Sequence, residues 1–289
     1  MKSTSKISLI GAVSMGIGSM VGAGIFALLG EAGAISGTAT YISFFIGGIV
    51  ALSSGYSYAK LGVKYPSSGG VIEYLLQGFG KTTLAGTFSI LFVCAGIITM
   101  AMVTKTFGSY AANLFFGKTL PVLVNGFTAV LIILFVFINF IGSDIVSKAE
   151  VYIVVFKLTI LAVFSVIGLE SIDWTRFAPS TYPAESSIFG SLAITYFAYT
   201  GFAVITNTAS SLPNPKKDLP RALFLAIGTT ILLYIGLSIV VFGNLSVADI
   251  IKYKETALAE AAKPVLGSIG FIMINIAALF STASSFNAN

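Results

Sequence analysis

Seven stretches of this 289-residue chain hold no charged side chain: 7–30, 32–59, 82–104, 119–143, 186–215, 222–248 and 264–289. The shortest has 23 residues, and about 20 apolar residues cross a hydrocarbon core as a helix. Backbone groups in lipid have to be satisfied within the protein, so runs of this length are expected as helices packed in one bundle. Composition agrees, since 56% of the residues are hydrophobic and only 9% charged, against roughly 25% charged in a soluble domain. The first run is longer than the roughly 7–15-residue core of a signal peptide and reads as a retained span. The expected class is an all-α polytopic membrane protein whose surroundings are the lipid bilayer.

An eighth span follows from 151–169, which is apolar except for Lys157. That lysine lies three residues from the centre of the interval between Glu150 and Glu170, about 4–5 Å from the midplane at 1.5 Å per residue. A charge at such a depth costs at least ~2.5–3.5 kcal/mol and usually lines an ion or proton path. A lysine that merely snorkels to the surface sits near a helix end. Lys105, toward the end of its span, fits that description; Lys157 does not.

Placing the N-terminus inside puts Lys2, Lys6, Lys60, Lys64, Lys81, Lys148, Lys216, Lys217 and Arg221 in the cytoplasm, with Lys118, Arg176, Lys252, Lys254 and Lys263 outside. That bias favours an N-in orientation. The net charge of +5 is thereby accounted for by topology, and no nucleic-acid partner is implied. With no histidine and one cysteine, Cys94, neither a metal site nor an intrachain disulfide is expected, and Cys94 reads as a packing residue. The acidic residues fall at span ends or in loops, and no nucleophile–base pair marks an enzyme.

Two spans are interrupted by small residues. The first reads Gly16-Ile-Gly-Ser-Met-Val-Gly-Ala-Gly-Ile-Phe26, and the sixth reads Thr195-Tyr-Phe-Ala-Tyr-Thr-Gly-Phe-Ala203. The bland explanation is close packing, because Gly18-x-x-x-Gly22 is a small-residue contact motif. The sharper one is that both helices unwind near the midplane. These spans are five apart and run in opposite directions, as an inverted repeat would place them, and such repeats bind substrate at their broken helices. Half-helix N-termini attract a carboxylate there and freed carbonyls accept from an ammonium. A zwitterionic amino acid carries both groups.

Gly18-Ser-Met-Val-Gly-Ala-Gly-Ile-Phe26, Tyr65-Pro-Ser-Ser-Gly-Gly70, Phe197-Ala-Tyr-Thr-Gly-Phe202, Asn214-Pro-Lys-Lys-Asp-Leu-Pro-Arg221 and the run from Ala278 to Ala288 resemble the amino acid–polyamine–organocation transporters. The resemblance covers essentially the whole chain. It implies a LeuT-type five-plus-five inverted repeat, here a first repeat over 1–170 and an incomplete second one over 187–289 in a single membrane domain. It also implies an amino-acid substrate. The carboxylate would meet backbone amides of Ala23, Gly24 and Ile25, and the ammonium carbonyls of Phe197, Ala198 and Thr200. Phe202 and Tyr199 would shape the side-chain pocket.

Lys157 matches the lysine through which proton-coupled members of that family work, so the resemblance implies protons as the coupling ion and no other cofactor. Its implied partners are the Gly18 carbonyl and the Ser281 hydroxyl. Desolvation favours the neutral amine and oxygen acceptors favour the ammonium, a balance suited to loading and releasing a proton. The expected function is proton-coupled uptake of neutral amino acids by alternating access. The alternatives are a proton-independent amino-acid or polyamine exchanger, a transport-dead sensor, or a structural fragment. Ser210 and Pro213 stand where the family commonly carries acidic residues, which argues against transferring a gate role to that segment. Residues 247–263 are expected as an amphipathic outer-surface helix, and Pro220 as the start of span 7. The chain ends at Asn289 within its eighth span, so a longer reading frame with roughly four more spans is expected. Oligomeric state is not legible.

Overall fold

The computed structural model describes residues 7–141 and 144–288, without the side chains of Ala23, Asn139, Ile141 and 144–150. The expectations attached to Lys2, Lys6 and Lys148 therefore lie outside the described residues or side chains. Among the described residues every regular element is helical.

Span 1 comprises α1 (Leu9–Ala23) and α2 (Ile25–Ser36), separated by Gly24 alone. Ser8 caps α1 by accepting from the Gly11 N–H at 3.0 Å, the usual way an N-terminal donor is satisfied. Next come α3 (Thr40–Lys64), the short α4 (Gly70–Phe79), α5 (Thr83–Phe116), α6 (Pro121–Ile141) and α7 (Asp144–Gly168). Span 6 is built from α8 (Glu185–Gly190), α9 (Leu192–Phe197) and a 3-10 helix over Thr200–Ser211. The chain closes with α10 (Pro215–Asn244), α11 (Val247–Lys252) and α12 (Ala257–Ala288), the last kinked at Gly267 where φ is 64°.

Seven of these segments are long and apolar enough to cross a membrane. One of them, Ile25–Lys64, joins α2 to α3; counting α1 and α2 as one broken span recovers the eight read from the sequence. The outer faces are those of a protein in lipid. Ile90, Leu91, Val93, Ile97 and Ile98 of α5 and Val130, Ile133, Leu134 and Phe137 of α6 are all more than half exposed, an apolar belt that water would not tolerate. The chain is an integral membrane protein.

Span 1 is at the centre. It packs against α10, α12, α7 and the 3-10 segment of span 6, while α10 also lies along α3 and α12 along α5 and α7. The two ends of the bundle are consistent: the Ile7 N–H donates to the Ser211 carbonyl at one end, and Tyr41 meets Tyr182 hydroxyl to hydroxyl, 2.7 Å apart, at the other.

Four expectations need correction. Cys94 is exposed on α5 rather than packed inside. Span 3 does not stop near residue 104; α5 continues to Phe116 and is capped by Gly117 at φ 63°, because a charge on an exposed face does not break a helix. Span 7 starts at Pro215, leaving Pro220 inside α10. Residues 247–263 do not form one surface helix: α11 ends at Lys252, and Ala257–Ala262 are buried, including Glu260 at 7% exposure. The alternation was real, but the buried Glu260 is satisfied by Asn113 and Lys263.

Candidate functional site: two broken spans held by three side chains

Glycine lets the two interrupted spans touch. A Cβ on Gly24 would run into the Tyr234 hydroxyl, the Ala198 carbonyl and the Met20 carbonyl. One on Gly201 would lie 2.7 Å from the Met20 nitrogen and 2.8 Å from the Ser19 carbonyl carbon. Any larger residue would push the backbones apart. The first interruption is therefore a single residue with φ −83° and ψ −83°, not an extended unwound stretch. The second is a change of helix type, from α before Ala198 to 3-10 after Tyr199. A 12-residue 3-10 run is far longer than the usual ~3–4 residues and marks a hinge or a strained segment.

Three consecutive carbonyls ahead of the Gly24 break each accept a side-chain donor from a different helix. Lys157 Nζ, from α7, donates to Gly18 O at 3.0 Å. Ser285 Oγ, from α12, donates to Ser19 O at 3.2 Å. Tyr234 Oη, from α10, donates to Met20 O at 2.7 Å and to Ala198 O at 3.2 Å, so one hydroxyl spans both breaks. Lys157 is 0% exposed. It belongs to the buried stripe Val154, Lys157, Leu161, Phe164 of α7, which is the i, i+3, i+7 pattern of one helix face. Folding thus places the ammonium deep inside by helical register, where it donates to a backbone carbonyl six residues ahead of the break.

The structure brings together Lys157 and Gly18, and it brings Gly24 against Ala198. It does not bond Lys157 to Ser281. Ser281 is 0% exposed, its backbone carbonyl lies against Gly22, and its hydroxyl has no hydrogen-bond partner among the described residues. Gly22 faces Ser281 and Ser285 across the α1–α12 contact, so the small-residue packing motif is present along with the break. Of the groups expected to hold substrate, the Gly24 N–H donates to Met20 O at 2.7 Å. Phe197 O accepts from Thr200 Oγ1 at 2.8 Å, and Ala198 O from Tyr234. Each carbonyl keeps a second lone pair for a ligand. Ile25 opens α2, and Ala23, whose side chain lies outside the description, closes α1.

Phe202 is 2% exposed and meets Tyr58 edge-on at 5.4 Å. Tyr199 is 0% exposed, donates to Phe44 O at 3.0 Å, and lies 5.0 Å from the Tyr234 ring. Tyr234 is the residue that sequence reading missed. The available signal was a tyrosine in the middle of an uncharged span, since a buried phenol has to find an acceptor. Lys105 lies on α5. Its side chain is exposed and borders a groove that Glu31 and Glu255 also line.

Comparison with known proteins gives a consistent relationship. The chain is 38% identical to the inner membrane transport protein YbaT of Escherichia coli, covering 98% of this chain and 66% of that protein. It is 40% identical to an uncharacterised protein of Methanocaldococcus jannaschii, with 98% and 65% covered. It is 30% identical to the serine/threonine exchanger SteT of Bacillus subtilis, again with 98% and 65% covered. The chain thus spans just under two-thirds of the length of these relatives. Residues 7–288 match the amino acid permease family, and the chain belongs to it.

Proposed function

We propose that this protein is a secondary carrier that takes up neutral amino acids together with protons, by alternating access around the two breaks. The observation that carries the reading is the wholly buried Lys157 donating to the Gly18 carbonyl, six residues ahead of Gly24. A hydrogen bond from an ammonium is roughly twice as strong as one from a neutral donor. Protonated Lys157 ties α7 to span 1; loss of the proton weakens the tie and lets the broken span shift. Proton binding thereby biases a two-state element, which is what coupling requires. Ser281, buried nearby on α12 with an unused hydroxyl in this conformation, is a second acceptor for the ammonium after such a shift.

Substrate would lie between the breaks. Its carboxylate would face the N-terminal end of α2 at Ala23, Gly24 and Ile25, the positive end of a helix dipole, with the Gly24 N–H exchanging its Met20 acceptor for the substrate. Its ammonium would face the carbonyls of Phe197, Ala198 and Thr200. No charged side chain occurs in 18–26 or 195–203, so an apolar or small polar substrate side chain fits beside Phe202 and Tyr199. The inverted repeat, with halves at 1–170 and 187–289, and an N-terminus in the cytoplasm of a cell-membrane protein complete the proposal.

Exchange without a proton gradient is the second reading, favoured by the serine/threonine exchanger among the relatives. Uptake of labelled L-alanine into proteoliposomes, with protein made from its complete reading frame, separates the two. Coupled uptake rises with an inward proton gradient, and Lys157→Met abolishes that dependence. Uptake indifferent to the gradient in the wild type establishes exchange or facilitated diffusion instead.

A further inference from the structure

The 3-10 run over Thr200–Ser211 is held at its pitch by its own threonines. Thr200, Thr206 and Thr208 donate to the carbonyls of Phe197, Ala203 and Ile205 at 2.8, 2.6 and 2.7 Å, each three residues back. Ser53, Thr106, Ser165 and Thr230, inside α-helices, donate four residues back. Burial follows the shorter period. Asn207 and Ser210 are exposed, Phe202, Ile205 and Thr208 are buried, and so are Thr206 and Ala209; each set recurs every third residue. An α-helix turns about 100° per residue instead of about 120° and would take Ser210 off that exposed line.

The pitch also matches the run to span 1, along which it lies. Gly201 rests on Ser19 and Met20 at one end, and the Ser211 carbonyl accepts from the Ile7 N–H at 3.0 Å at the other. Ten residue steps join Gly201 to Ser211, about 20 Å at the 3-10 rise and about 15 Å at the α rise. The facing stretch of span 1 has eleven α-helical steps from Met20 to Leu9, with Ser8 and Ile7 beyond the helix. That is about 16–17 Å before the last two residues are counted. Only the longer form reaches both anchors. A 3-10 helix has poorer hydrogen bonds than an α-helix, so release of either anchor lets the run shorten. One anchor adjoins the proton switch, since Ser19 and Met20 follow Gly18, whose carbonyl takes Lys157.

We propose that Thr206 and Thr208 are positioning residues in transport: they hold this run in its long form, and its winding toward α opens the end of the bundle where Ile7 meets Ser211. Each residue that changes pitch withdraws Ser211 by about 0.5 Å and turns it by about 20°. The proposal rests on the transport reading above, in which loss of the Lys157 proton loosens span 1. The preceding half of span 6 does not follow. Thr195 donates to Ser43 O at 3.0 Å and Ser191 Oγ to Ser43 Oγ at 2.8 Å, which ties that half to α3.

Spin labels on Ser186→Cys and Ser210→Cys, both exposed positions of span 6, read its length in protein otherwise free of cysteine (Cys94→Ser). The wild type gives a long distance. Thr206→Val with Thr208→Val keeps the side-chain shape, removes both hydroxyls and shortens that distance by about 2–4 Å. Thr206→Ser with Thr208→Ser leaves it long. Lys157→Met, which unties span 1 without touching span 6, shortens it as well, and decides the matter if the valine pair does not fold. Residues that only stabilise the fold would lower the thermal midpoint and leave the distance alone. Labelled L-alanine uptake then separates the two readings. Flux with one distance common to all four proteins overturns the switch and leaves transport standing. A shortened distance in the valine pair or Lys157→Met, without flux in the wild type, overturns transport and leaves the switch standing. An invariant distance without flux overturns both.

Discussion

Tyr234 and Gly24 meet on one oxygen: the Met20 carbonyl accepts the tyrosine hydroxyl and the glycine N–H, each at 2.7 Å. The same hydroxyl reaches Ala198 in the other broken span. A side chain from an unbroken helix therefore sets the spacing of two interrupted ones. Removing it tests whether the breaks are held or merely adjacent.

Tyr234→Phe keeps the ring and its contacts with Tyr199 and Phe44 and deletes only the hydroxyl. Two acceptors share a single proton, so the loss is about 1–2 kcal/mol, near the upper end for one net hydrogen bond. The expected result is a lower thermal midpoint in detergent together with increased protease sensitivity around residues 198–201. A midpoint equal to that of the wild type would show that packing alone fixes the breaks.

Most of the architecture was legible because lipid imposes simple rules on sequence. Uncharged runs gave the spans, and the glycine cluster of span 1 and the single Gly201 of span 6 located the interruptions, since backbone contact such as Gly201 on Ser19 and Met20 admits no side chain. Lys157 stood out because its surroundings are apolar. Tyr234 did not, because an aromatic in an apolar run is core by default, and only the fold shows which carbonyls lie under its hydroxyl. The 3-10 form of 200–211 was equally hidden: its residues are ordinary span residues, and the change of pitch arises from packing on span 1. Burial of 257–262 was misread because an alternating pattern looks the same on a surface and against Asn113.

Substitutions at Lys157 separate volume from charge. Lys157→Ala removes a long side chain from a site of 0% exposure and leaves a cavity, which costs about 2–5 kcal/mol for comparable truncations. Lys157→Met fills the same space without an ammonium and is expected to melt well above the alanine variant. If the two variants melt together, the tie to Gly18 outweighs packing in holding α7.

Two glycine-to-alanine changes should act in opposite directions. At Gly201 the new methyl meets backbone atoms of Ser19 and Met20, which cannot rotate away, so a loss of about 1–3 kcal/mol is expected from overpacking. At Gly96, within α5, a Cβ meets nothing within 4 Å, and alanine should stabilise the helix by about 0.5–1 kcal/mol. Thermal midpoints of the pair in one detergent provide the check, and a stabilising Gly201→Ala would mean that the two broken spans are not in backbone contact.

Ser281 and Ser285, one helical turn apart on α12, have different bonding and should respond differently to alanine. Ser285 donates to Ser19 O at 3.2 Å, so Ser285→Ala is expected to cost about 0.5–1.5 kcal/mol. The Ser281 hydroxyl is buried without a partner among the described residues, and a buried unsatisfied group carries a penalty of about 1–3 kcal/mol. Ser281→Ala should therefore leave the resting protein as stable as the wild type or more so. Transport predicts the reverse order of importance: if Lys157 turns from Gly18 to Ser281 during the cycle, Ser281→Ala weakens the dependence of alanine uptake on the proton gradient while raising the thermal midpoint. That dissociation of stability from coupling is what a packing residue does not produce. A variant that is more stable and still fully proton-dependent would remove Ser281 from the proton pathway.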